Sequence, residues 1–94
     1  MKAELLERYR YVFDDGMFVE VVLWRVPEPV KGSQHPYKYR LFYGTQGKRI
    51  VGYDNERPKG NHRHYDDQEQ AYKFSTPEQL IADFLSDVQQ RRAS

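Results

Sequence analysis

Two histidines, His62 and His64, stand two residues apart in the stretch GYDNERPKGNHRHYDD, residues 52–67. In an extended segment, side chains two apart point the same way, so both imidazoles share a side and Arg63 takes the other. Such a pair can work as a general base and a general acid near neutral pH. It can also supply two metal ligands, completed by a carboxylate such as Asp54, Glu56 or Asp66. Or both can be exposed loop histidines with no role; even as functional groups their loss is expected to change stability by no more than about 0.5 kcal/mol. Asp54 and Glu56 join the histidines as catalytic candidates. Arg57, Lys59 and Arg63 are candidates for holding a phosphate, because guanidinium matches phosphate oxygens as a fork. Gly52 inside a strand pattern suggests a bulge or a close backbone approach.

A second group lies upstream, in YKYRLFY at residues 37–43. Lys38 and Arg40 would extend the positive surface if this segment pairs with the one leading into the histidine stretch. Tyr37, Tyr39 and Tyr43 are stacking candidates, although at least two of the three are expected in the core. Basic residues interleaved with aromatics are one signature of single-stranded RNA binding. Trp24 is read as a packing anchor. The GTQGK run at residues 44–48 lacks the length and the hydroxyl residue after the lysine that a phosphate-binding loop needs, so it is read as a hairpin turn.

The elements that must carry these residues follow from periodicity. ERYRYVF alternates, with Tyr9, Tyr11 and Phe13 on one face and Arg8 and Arg10 on the other. Asp14, Asp15 and Gly16 form a turn. Residues 17–26 resume as a strand, with Val19, Val21 and Leu23 facing one way and Glu20, Val22 and Trp24 the other. The Pro-rich residues 27–36 form a loop long enough for a crossover. YKYRLFY and RIVGY then make a second hairpin. AYKF, residues 71–74, can add a short fifth strand. Residues 77–91 form a helix with Thr76 as N-cap and Pro77 in its first position. Its apolar stripe is Leu80, Ile81, Phe84, Leu85 and Val88. The predicted architecture is one α+β domain over residues 1–94. It is a twisted antiparallel sheet of four or five strands, about residues 5–74, covered by the C-terminal helix.

Length and composition agree with this. A chain of 94 residues suits one domain. With no cysteine, disulfides and thiolate zinc sites are excluded. No run approaches the roughly 18 apolar residues of a membrane span, and the N-terminus lacks a secretory pattern, so the expected location is the cytoplasm with no membrane partner. The net charge of +1 argues against a uniformly polyanion-coating surface. Lysines and arginines nevertheless dominate residues 31–63, and acids dominate from there to Arg91.

The blocks LWRVPEPVKGSQHPYKYRLFYG, GKRIVGYDNERPKGNHRHYDD and YKFSTPEQLIADFLSDV together resemble the TumE family of bacterial toxin–antitoxin proteins, over about residues 2–92. The resemblance implies a small cytoplasmic toxin, made with an adjacent antitoxin that carries a helix-turn-helix DNA-binding domain and holds it inactive. Ribonuclease activity enters by analogy, as a common toxin mechanism. In the leading reading, His62 and His64 exchange protons with a ribose 2′-hydroxyl and a leaving 5′-oxygen of RNA, with no metal or cofactor. Arg57, Lys59 and Arg63 would stabilise the charged phosphorane. The competing class is a non-enzymatic module that binds protein or nucleic acid, and a metal-dependent hydrolase or transferase is third. A homodimer is left open.

Overall fold

The computed structural model describes residues 2–55 and 59–94. Its strands are β1 (Glu4–Val12), β2 (Phe18–Arg25), β3 (Tyr37–Thr45), β4 (Lys48–Asp54), β5 (His62–Tyr65) and β6 (Gln68–Ala71), followed by helix α1 (Pro77–Ala93). The strands form one antiparallel sheet in the order β1-β2-β3-β4-β5-β6. The expected α+β class and its single C-terminal helix are present. The strand number is six rather than four or five, because the histidine stretch holds a third hairpin. β6 spans Gln68–Ala71, so it begins and ends earlier than the expected fifth strand at 71–74.

Residues 27–36 make no crossover. They bridge the ends of β2 and β3 as a wide hairpin loop, closed where the Val26 N–H donates to the Pro36 carbonyl at 2.8 Å. The β5–β6 turn has no glycine. Asp66 takes a φ of 54° there, which aspartate tolerates better than most residues because its short polar side chain can bond locally.

The alternation of β2 and β3 divides the sheet into two faces. Val19, Val21, Leu23, Tyr39, Leu41 and Tyr43 are buried beneath α1, joined by Val51 and Tyr53 of β4. From the helix, Leu80, Phe84 and Val88 complete this core. Ile81 is half-buried at its margin, but Leu85 is 41% exposed, so the packed stripe is narrower than predicted. The helix starts as its sequence dictates: the Thr76 hydroxyl accepts from the Gln79 N–H at 3.0 Å, satisfying one of the otherwise unpaired N–H groups of the first turn. Trp24 is half-buried, but its register partner is Lys38 and it stands on the face away from the core. It is therefore not the anchor expected of it. Among the described residues, no helix is long and apolar enough to cross a membrane.

Candidate functional site

The pairing of β4 with β5 sets Asp54 opposite His62 and Gly52 opposite His64. Both imidazoles stand on the face away from the helix, as the two-residue spacing requires. They belong to a strand rather than a loop, and are only 5% and 8% exposed. The expectation that they can be lost at almost no cost in stability does not hold for groups so buried and so fully hydrogen-bonded. Their ring centroids are 5.0 Å apart and the planes nearly perpendicular, at 76°.

The hydrogen bonds set the two rings in opposite states. His62 lies between two acceptors: its Nδ1 is 3.0 Å from the Gly60 carbonyl and its Nε2 is 2.6 Å from Asp54 Oδ1. A carbonyl and an ionised carboxylate only accept, so both contacts are made when both ring nitrogens carry hydrogen. At His64, the Arg49 guanidinium reaches Nδ1 at 2.9 Å. A guanidinium only donates, so Nδ1 keeps its lone pair and the ring hydrogen sits on Nε2. That nitrogen lies 3.4 Å from Glu69 Oε2. Burial pushes the His64 pKa below the ordinary histidine value. Arg49 and His62 push the same way, against Glu69 and Asp54. His64 is thus held as a neutral ring beside one whose two nitrogens both face acceptors.

Two glycines make this geometry possible. A Cβ on Gly52 would lie 2.5 Å from Cδ of Arg49. The missing side chain at Gly52 is therefore the gap through which Arg49 crosses β4 to His64. Gly60 has a φ of +78°, and a Cβ there would meet the Gly32 carbonyl oxygen at 2.5 Å. The tight approach of the two loops aims the Gly60 carbonyl at His62. Asn55 secures the same end of the sheet. It accepts from the Tyr39 N–H at 3.0 Å and donates to the Tyr37 carbonyl at 2.7 Å.

The other predicted site residues separate. Arg63 faces the helix, with its Nε 2.6 Å from Asp87 Oδ2 and 3.1 Å from the Tyr53 hydroxyl. It fastens α1 to the sheet, and this geometry gives it no phosphate beside the histidines. Lys59 is exposed, and its Nζ lies 3.5 Å from Glu69. Lys38 and Arg40 are exposed on the open face, where they line a cleft of about 680 Å³ together with Asp54. Asp54 is the member of the histidine cluster that reaches this cleft. Glu56 and Arg57 lie outside the described residues. Of the tyrosines, Tyr39 and Tyr43 are core and Tyr37 is half-buried. Sequence reasoning missed Arg49, Glu69 and Asn55. The glycine at position 52 was the only signal for the first of them.

Asp54, His62 and His64 also bring three atoms of metal-ligand type within 4.8 Å of one another. His62 fits such a role, since a ligating imidazole commonly donates its second N–H to a carbonyl. His64 does not. Arg49 donates into its Nδ1, which leaves Nε2 protonated and sets a cation beside the position a metal would occupy. As arranged, the donor set offers a dication Asp54 and His62 but not the His64 lone pair.

A family model described as Toxin TumE matches residues 2–92. Comparisons with curated proteins and with solved structures find no match.

Proposed function

Because the chain belongs to the TumE toxin family, we propose that it is the toxin half of a type II toxin–antitoxin pair and cuts RNA by metal-independent acid–base chemistry. The observation that carries this reading is the opposite hydrogen-bonding of two imidazoles 5.0 Å apart. His62, with hydrogen on both nitrogens, is the acid; His64, with a lone pair at Nδ1, is the base. An incoming phosphate draws the Arg49 guanidinium from His64, which frees that lone pair and places a cation on the phosphate in one movement. His64 then takes the 2′-hydroxyl proton as the 2′-oxygen attacks phosphorus. The bond to the 5′-oxygen breaks and His62 protonates the leaving oxygen, giving a 2′,3′-cyclic phosphate and a 5′-hydroxyl. Asp54 orients His62. The partner is a cognate antitoxin with a helix-turn-helix domain, and the setting is the cytoplasm.

The test is expression without antitoxin of wild type, His62→Gln and His64→Gln, following growth and RNA integrity with melting curves as the folding control. Loss of either group should slow cutting by roughly 10²–10⁴-fold. Folded variants that cut RNA and arrest growth like wild type would remove the histidines from the chemistry. The metal-dependent reading has the Asp54–His62–His64 grouping in its favour. It is tested in the same assay: activity should survive dialysis against a chelator, and loss restored by one added divalent metal would replace acid–base chemistry with metal catalysis.

A further inference from the structure

The sheet face away from the helix carries aromatic and basic groups that the histidine mechanism does not use. Strand register lays them in two rows. One row runs Arg8, Val22, Arg40, Asp54, His62, and the next runs Arg10, Glu20, Phe42, Gly52, His64. Each row begins with an arginine on the edge strand and reaches a histidine four strands later. Arg40 and Phe42 stand two strands from the histidine of their own row, about 10 Å at ordinary strand spacing.

Two hollows lie along these rows. The first, about 430 Å³, is lined by Arg10, Phe18, Glu20, Arg40, Phe42 and Gln46. The second is the cleft of about 680 Å³ that holds Lys31, Lys38 and Asp54. Arg40 lines both. The first has an aromatic floor: the Phe18 and Phe42 rings are stacked, with centroids 5.3 Å apart and 30° between planes. The Arg10 guanidinium lies 4.3 Å above Phe18, and that of Arg40 is 6.0 Å from Phe42. Cations flanking half-exposed rings suit an unpaired nucleotide, whose base stacks on the ring while its phosphates meet the guanidinium and ammonium groups. A duplex keeps its base faces stacked inside and cannot use such a floor.

We propose that single-stranded RNA lies across this face from β1 towards β5, with a base stacked on Phe42 and the following phosphates held by Arg40 and Lys38. The scissile linkage is thereby led to His62 and His64; only this last step rests on the ribonuclease reading.

Binding is measured separately from cutting with a short, fluorescent single-stranded RNA whose riboses are 2′-O-methylated, which removes the attacking hydroxyl. Its anisotropy is titrated at several salt concentrations with wild type, Arg40→Ala, Phe42→Leu and the remote control Lys73→Ala, each checked by melting. The single strand should bind roughly tenfold or more tighter than a duplex of the same sequence. Arg40→Ala should weaken binding and lower the salt slope by about one. Phe42→Leu, which keeps the apolar volume and loses the ring, should weaken it several-fold with the slope unchanged. Equal affinity for the duplex, or Arg40→Ala and Phe42→Leu binding like Lys73→Ala, would overturn the track even if wild type cuts ordinary RNA. This binding pattern in a protein that leaves ordinary RNA intact would support the track and remove the ribonuclease reading.

Discussion

The two faces of this sheet use the same residue types for different ends. Beneath the helix, Asp87 accepts from both Arg63 and the Tyr53 hydroxyl, and the Tyr72 hydroxyl donates to Asp83 at 2.6 Å. Each charged group there has a fixed partner across the interface, so each fastens α1 in place. On the opposite face, Arg49 donates to the His64 imidazole and Asp54 lies 2.6 Å from Nε2 of His62. In the proposed mechanism those contacts exchange when a proton moves or a phosphate arrives. Arg63 and its neighbours His62 and His64 are consecutive in the chain, yet they work on opposite sides. The role of a polar residue in β5 is decided by its parity along the strand, not by its type.

The division is open to direct attack by substitution. The largest effect on stability is expected on the helix face. Phe84 is fully buried, and Phe84→Ala should cost about 3–5 kcal/mol in denaturant melts. A cost below about 1 kcal/mol would mean that the helix does not seal this core. On the open face, His62→Ala removes a buried ring with two hydrogen bonds and strands the Gly60 carbonyl, for an expected loss of about 1–3 kcal/mol. A neutral result would show that the site is built for chemistry alone.

The next effect is a pH dependence. The folded state holds His64 below the ordinary value near 6.5, mainly through burial and Arg49. The unfolded chain therefore binds a proton there more readily, and stability rises with pH across the interval between the two pKa values. The contribution is complete above the unfolded pKa and is lost as pH falls towards the folded one. Wild type should lose more melting temperature than His64→Gln between pH 8 and mildly acidic pH; identical losses would show that His64 is not held neutral. The smallest effect is expected at Arg91, whose Nε lies 3.1 Å from Asp66 in an exposed pair. Arg91→Ala should cost below about 1 kcal/mol, and a larger loss would give this face a fastening the comparison assigns to Arg63.

Much of the helix face was legible in the sequence. Its strands alternate apolar and polar residues, and α1 carries a cap, a proline and a stripe. β5 and β6 were not legible, because HRHY and QEQA contain no β-branched residue and their turn has no glycine. They are strands because they pair with β4 and with each other. The histidines and Asp54 were visible as types with a spacing. Their different hydrogen-bond partners were not, since those of His64 include Arg49, which belongs to another strand and reaches it across Gly52. Leu85 was misread because the helix is docked through a stripe narrower than its apolar surface. Of the β3 tyrosines weighed for stacking, Tyr39 and Tyr43 lie in the core, as expected of two of the three, and strand parity puts Phe42 on the open face.

The order of the strands also has a consequence in time. Each strand pairs with the one made before it, so every pairing is between chain neighbours and pays little loop-closure entropy. The cover for its apolar face, however, follows all six strands in the chain. Until residues 77–93 emerge, Val21, Leu41 and Val51 have no lid, and the growing chain presents a sticky surface on one side while the rows that end at the two histidines are already aligned on the other. Docking of α1 is thus the step that completes the core, after the strands it covers have been made.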